Sequence, residues 1–339
     1  MKRIIISATL VIFFGSLGYF FLLMQNKKIE PIPAINNEVS DKQEFFSILN
    51  GLPVAEEKMK MPQTLAVMID NHPDARPQSG LSAATVIYEI PVEGDLTRYM
   101  AIFDVYQNIE KVGPVRSSRR YFLDYASEYG RSLYMHSGGS PEALEELKSN
   151  KYFDFNEFSR QYFFWRDRNL SAPHNLFTKS ELWNKFLSQS VSPTTSWTGF
   201  NFGELNVSST NAGSAVDIKY RPDYSVQWKY DGGESIYKRY VNSVLQSGRE
   251  GEVLKADNVV VQYVRMRTVD EVGRKDLYTT GEGSVRIVRD GKIVLGVWKK
   301  EKDDSRTKFF DNGGNEIMLK PGVTWLQIVP DNAEITVTN

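Results

Sequence analysis

The chain has 339 residues, 41% hydrophobic and 24% charged, with 41 basic against 42 acidic side chains. That suffices for two ordinary domains with substantial cores, and it excludes both a disordered body and an electrostatic case for wholesale nucleic-acid binding. No cysteine occurs, which excludes disulfides, cysteine metal sites, a cysteine nucleophile and a lipidated N-terminal cysteine.

After Lys2 and Arg3, residues 4–24 carry no charge and are mostly apolar. A helix of that length, at about 1.5 Å per residue, can cross a hydrocarbon core of roughly 30 Å. A cleaved signal peptide has a shorter apolar run and small residues at its exit. Here the exit is Met24, Gln25, Asn26, Lys27 and Lys28, so residues 1–25 read as an uncleaved transmembrane signal anchor. Residues 26–62 read as a linker. They hold Pro31, Pro33, Pro53 and Pro62, and one apolar patch at Phe45, Phe46, Ile48 and Leu49 that suits a helical turn or two packed on the body.

Strand and helix signals alternate from Thr64 onward. Strands are expected at 64–70, 84–92, 97–106 and 131–136, and a helix over 117–129, where Phe122, Tyr125, Ala126 and Tyr129 recur at helical spacing. A second helix has Ser140 as its cap and Pro141 at its first position. A third starts at the capping box formed by Thr178 and Glu181. Together these predict a mixed α/β domain over residues 63–200, a sheet flanked by helices. The stretch 190–213 is rich in Ser, Thr, Asn and Gly and marks a boundary. Residues 214–339 then alternate apolar and polar in short runs, with hairpin turns at Asp290-Gly291 and Asn312-Gly313. They predict a mainly antiparallel β domain, and the whole chain reads as α+β.

Candidate chemistry gathers at strand ends, where binding residues tend to be displayed. His72 follows a strand in "DNHPDARP", His136 ends one in "YMHSGGSP", and His174 precedes a helix in "SAPHNLF". Gly138, Gly139 and Ser140 carry a strand into a helix start, a generic anion-binding geometry whose plainer reading is an ordinary capped connection. Arg116, with Arg119 or Arg120, can clamp a carboxylate or phosphate. Arg76, Glu93 and Arg98 complete the candidate ligand-binding set. No catalytic residue and no cofactor is assigned. A zinc hydrolase would combine the histidines with Asp70 or Glu93, but no tight ligand spacing supports a metal site. Glu89 and Glu93 lie roughly 13 Å apart along one strand, too far for a paired-carboxylate glycosidase. Neither Ser137 nor Ser140 sits in a nucleophile elbow.

The motifs "DNHPDARPQSGLSAATVIYEIPVEGDLTRYMAIF", "VGPVRSSRRYF", "YMHSGGSPEAL" and "APHNLF", followed by "ADNVVVQYV", "RIVRDGKIVLGVWKK" and "MLKPGVTWLQIVP", resemble the YerB-like family of Gram-positive envelope proteins. The resemblance runs from residue 64 to 331. It implies an α/β N-terminal domain, a β-rich C-terminal domain and display outside the cytoplasmic membrane, but it supplies no reaction. Family members are commonly held by a lipidated cysteine, and here residues 4–24 would serve as the anchor instead. The expectation is a single-pass membrane protein with an extracytoplasmic body that binds an anionic cell-wall glycan, peptide or phosphate group, with no nucleic-acid partner. The alternatives are an envelope hydrolase using histidine and carboxylate groups, and a scaffold for wall-synthesis proteins.

Overall fold

Thr64–Asp70 is a run of seven residues, all buried, and it forms β1 of a large sheet. Strands buried on both faces read as continuous apolar runs rather than alternations, and "TLAVMID" is such a run. The computed structural model describes residues 44–56, 60–149, 151–189, 196–207 and 210–338. The apolar segment 4–24 lies outside them. Among the described residues no helix is long and apolar enough to cross a membrane.

The first half of the chain adds β2 (Val86–Pro91), β3 (Thr97–Asp104), β4 (Leu133–His136) and β5 (Phe153–Asn156). The second half opens with β6 (Asn211–Ala212), β7 (Ala215–Arg221), β8 (Tyr224–Asp231), β9 (Ile236–Val241), β10 (Val244–Leu245) and β11 (Lys255–Ala256). It continues with β12 (Asn258–Val264), β13 (Gly281–Arg289), β14 (Lys292–Lys300), β15 (Lys308–Asp311), β16 (Thr324–Pro330) and β17 (Ile335–Thr338). The large sheet has eleven strands in the order β6-β14-β13-β12-β16-β2-β3-β1-β4-β5, with β15 beside β14. A smaller sheet runs β10-β9-β8-β7-β17, with β11 on β9.

One face of the large sheet packs on the small sheet, joining Val67, Tyr99, Val259 and Trp325 to Val226, Trp228 and Tyr237. The other face, with Met68, Tyr88, Met100 and Leu326, is covered by Tyr121, Phe122 and Tyr125 and by Phe200. The second cover is also held by charge. Glu128, fully buried, accepts from Lys300 Nζ at 2.8 Å and from Arg306 Nη1 at 3.0 Å.

The expected sheet flanked by helices is overturned: the fold is mostly β. The α-helices among the described residues are short, namely α1 (Arg120–Ala126), α2 (Pro141–Glu146) and α3 (Ser180–Gln189). The helical pattern at 117–129 shrinks because Arg116 and Ser118 are drawn into extended pairing with the 137–140 loop. A tighter 3-10 turn, Ser127–Tyr129, then ends the segment. Pairing within the second half is mainly antiparallel, but one of its strands also joins the first half's sheet. β16 pairs in parallel with β12 on one side and with β2 on the other.

Of two local expectations, one holds and one does not. The Asp290-Gly291 hairpin joins β13 to β14, with φ of 51° and 70° at the two residues, the left-handed pair that a tight hairpin turn requires. The patch at 45–49 is no helix: Phe45–Phe46 pairs with Pro53–Val54 and Leu49 is buried.

Candidate functional site

β1 and β4 run parallel, and β4 and β5 likewise, so their carboxyl ends open on one edge of the large sheet. Crevices beyond the carboxyl ends of parallel strands are where open sheets bind ligands. Asp70 is the last residue of β1, and its carboxylate is buried. One oxygen accepts from the His72 backbone N–H at 3.0 Å. The other accepts from His174 Nδ1 at 2.7 Å and lies 3.0 Å from Arg116 Nε. Arg116 reaches this place because residues 114–116 lie alongside β1: the Asp70 N–H donates to Pro114 O and the Arg116 N–H to Met68 O. His174 comes from the connection that ends in Leu176–Phe177, whose Leu176 carbonyl accepts from the Val115 N–H.

Three motifs far apart in sequence thus meet on one carboxylate. An ionised carboxylate only accepts, so His174 donates through Nδ1, and in the neutral ring the lone pair is left on Nε2. Nε2 has no hydrogen-bond partner among the described residues. The His72 ring stacks on that of His174, centroids 4.7 Å apart and planes 15° from parallel.

Arg98 faces Asp70 directly across the β1–β3 register. It donates to Ser117 O at 2.8 Å, and its buried Nε has no hydrogen-bond partner among the described residues. Burial, then the Arg119 charge, pull this guanidinium down to about 10; Arg116 adds to the effect and Asp70 opposes it. Arg119 itself clasps Glu93 with two hydrogen bonds, one of them 2.8 Å long. Burial alone would push the Glu93 carboxyl up, but the Arg119 hydrogen bonds and charge outweigh it and hold the group below its ordinary value. Three guanidiniums, Arg98, Arg116 and Arg119, therefore sit against two carboxylates.

Asn71 and Arg76 turn the other way, towards the small sheet. Asn71 Nδ2 donates to Thr97 Oγ1 at 2.6 Å and to Tyr224 OH at 2.7 Å. Both hydroxyls donate in turn to Glu89 Oε1, at 2.8 and 2.6 Å. Arg239, fully buried, donates to Glu89 Oε2 at 2.6 Å. Arg76 closes the loop by donating to Asn71 Oδ1 and O, and its guanidinium stacks 4.4 Å from the Tyr224 ring. The loop that carries His72 is thereby fixed to both sheets.

His136 stands apart from the other two histidines. Its ring is fully buried, with Nδ1 on Gly138 O at 2.8 Å and Nε2 on Asp154 at 2.7 Å, so neither nitrogen is free. In the loop of Gly138, Gly139 and Ser140, two amides are spent on neighbouring segments: Gly138 N–H goes to Asn156 and Ser140 N–H to Ser118 O, while the preceding Ser137 N–H goes to Arg116 O. Ser140 does cap α2, accepting from Ala143 N–H. This loop braces the 116–118 segment.

The structure therefore brings His72, His174, Arg116, Arg98, Arg119 and Glu93 towards one another. It does not bring in His136 or the glycine loop, and it gives Arg76 a bracing role. Asp70, Asn71, Glu89, Tyr224 and Arg239 are the organising residues outside the expected set. Glu89 carried a signal, as a lone charge inside the strand "VIYEIP". Tyr224 and Arg239 carried none, because their partners lie in the other half of the chain.

Residues 49–192 match the family model described as the N-terminal domain of a protein of unknown function, DUF3048, and residues 216–326 match the corresponding C-terminal domain. The YerB protein of Bacillus subtilis (strain 168), whose name carries the word lipoprotein, is 30% identical over 325 residues, 92% of each chain. The chain belongs to the YerB-like, DUF3048 family. The crystal structure of Bacillus subtilis YerB superposes with a TM-score of 0.76 at 30% identity, over 86% of this chain and 99% of that one. Family membership at this coverage extends across both sheets, so the Asp70 centre and the Glu89–Arg239 link both lie inside the shared YerB-like body.

Proposed function

We propose that this YerB-like protein is held in the membrane by residues 4–24 and binds an anionic, cell-wall-related ligand on its extracytoplasmic body. The observation that carries the reading is the guanidinium excess at the Asp70 centre. Arg116 and Arg119 crowd Arg98 although both charges lower its affinity for a proton, and the buried Arg98 Nε lacks an acceptor among the described residues. A ligand carboxylate or phosphate would supply the missing negative charge and the missing acceptor, through the strong, short hydrogen bonds that guanidiniums form with such groups.

The test is co-sedimentation of the purified full chain with insoluble wall material from a Gram-positive bacterium, over a series of salt concentrations. Binding should weaken with salt. It should fall about tenfold or more in Arg116→Gln, as expected for loss of a charged hydrogen bond. Salt-independent binding, or binding unchanged in that variant, would overturn the reading. A hydrolytic role is the second reading, favoured by the Asp70–His174 pair, in which a buried carboxylate orients a histidine of the kind used in acid–base catalysis. Release of soluble wall fragments, lost in His174→Gln, would mark that role.

A further inference from the structure

We propose that His72, Asp74 and His174 form a binding site for a divalent transition-metal ion of the zinc class. The three residues offer ligand atoms that all lie within 4.8 Å of one another. Two imidazoles and a carboxylate are a borderline donor set of the kind that catalytic zinc sites use, with at least one coordination position left open.

The local hydrogen bonds leave suitable lone pairs. His174 gives its Nδ1 proton to Asp70, which orients the ring and leaves Nε2 as the donor atom. A histidine ligand backed by a carboxylate on its far nitrogen is the usual outer-shell arrangement at metal sites. His72 Nδ1 accepts from the Asp74 N–H at 3.2 Å, so it too carries a lone pair and no proton. At metal–ligand bonds of about 2.0–2.1 Å, tetrahedral neighbours stand about 3.3–3.4 Å apart. His72 Nδ1 and Asp74 Oδ2 are 3.5 Å apart.

His174 requires an adjustment. The stacked rings send their lone pairs side by side rather than to one point, so the His72 ring must tilt. It can, because the His72 side chain is 37% exposed and that of Asp74 75%, while His174 is held at 14%. A fixed histidine and a movable His–Asp arm then close on the ion, exchanging the Asp74 N–H contact for a metal bond. The ion is a ligand in its own right, so the site stands whether or not the anion reading does.

The experiment titrates zinc chloride into the full chain, freed of metal with a chelator and held in phosphate-free buffer, followed by calorimetry. One ion per chain is expected. Uptake should be abolished in His174→Gln and reduced at least about a hundredfold in Asp74→Asn. In Asp70→Asn, where only the outer partner changes, the loss should be about tenfold to a hundredfold. His136→Gln, whose ring is held by Gly138 and Asp154 and not by Asp70, should bind like the parent chain. Asp74 lies on an exposed turn, so its substitution reports a lost ligand rather than a lost fold. No stoichiometric uptake, or uptake unchanged in Asp74→Asn, would overturn the proposal.

Discussion

Replacing Arg239 by Met isolates the energy of the link between the two sheets. Glu89 and Arg239 meet at 2.6 Å with both side chains fully buried. Without the guanidinium, Glu89 Oε1 keeps its hydroxyl donors from Thr97 and Tyr224, but Oε2 loses its donor and the carboxylate loses its countercharge. Stranding one member of a buried pair costs about 3–5 kcal/mol, whereas removing both charges together is often close to neutral. Arg239→Met should therefore lower stability by about that amount, and adding Glu89→Gln should restore at least about 2 kcal/mol of it. The coupling between the two substitutions follows from a double-mutant cycle. Urea unfolding of the full chain measures it through tryptophan fluorescence, since the rings of Trp228 and Trp325 lie 5.8 and 5.0 Å from the Arg239 guanidinium. The midpoint should shift without a change in slope. A loss below about 1 kcal/mol in Arg239→Met, or a double variant no more stable than the single one, would refute the account.

Gly296→Ala should cost about 2–3 kcal/mol and lower the melting temperature, because a Cβ there would meet the Phe310 carbonyl at 2.0 Å and force β14 and β15 apart; an unchanged melting temperature would count against this pairing. Arg119→Gln should give a pH-dependent loss. The folded Glu93 carboxyl lies below its ordinary 4.5, so its ion pair stabilises the fold fully above that pH and fades as the pH falls through the folded value. The stability gap between parent and variant, from urea unfolding, should be largest near neutrality and shrink at acid pH. A gap that does not depend on pH would sink the assignment.

Local features were legible in the sequence because their causes are local. The apolar run at 64–70 is β1 to the residue, Ser140 caps the helix it was expected to cap, and Asp290-Gly291 makes the turn it encodes. The fold class was not legible, because it depends on pairings such as Thr324 with Val86, which no pattern within either segment signals. The helical spacing at 117–129 was real, yet it could not show that Ser118 would pair with Gly139 instead. The site divides in the same way. That strand ends would carry the polar groups was readable. Which histidines share a carboxylate was not: His136 and His72 have similar surroundings in sequence, but one ring is sealed between Gly138 and Asp154 while the other stacks on His174.

The position of β16 has a consequence for how the chain is made. β2 (Val86–Pro91) lies between β3 and β16, and β16 spans Thr324–Pro330, far along the sequence from β2. As the polypeptide emerges from its N-terminus, β2 waits with one row of backbone amides and carbonyls unpaired until the whole stretch between it and β16 has followed. An unpaired apolar edge recruits other strands, so a product truncated before residue 324 should be prone to self-association. Cleavage anywhere between the two family matches would yield fragments that each lack half of one sheet.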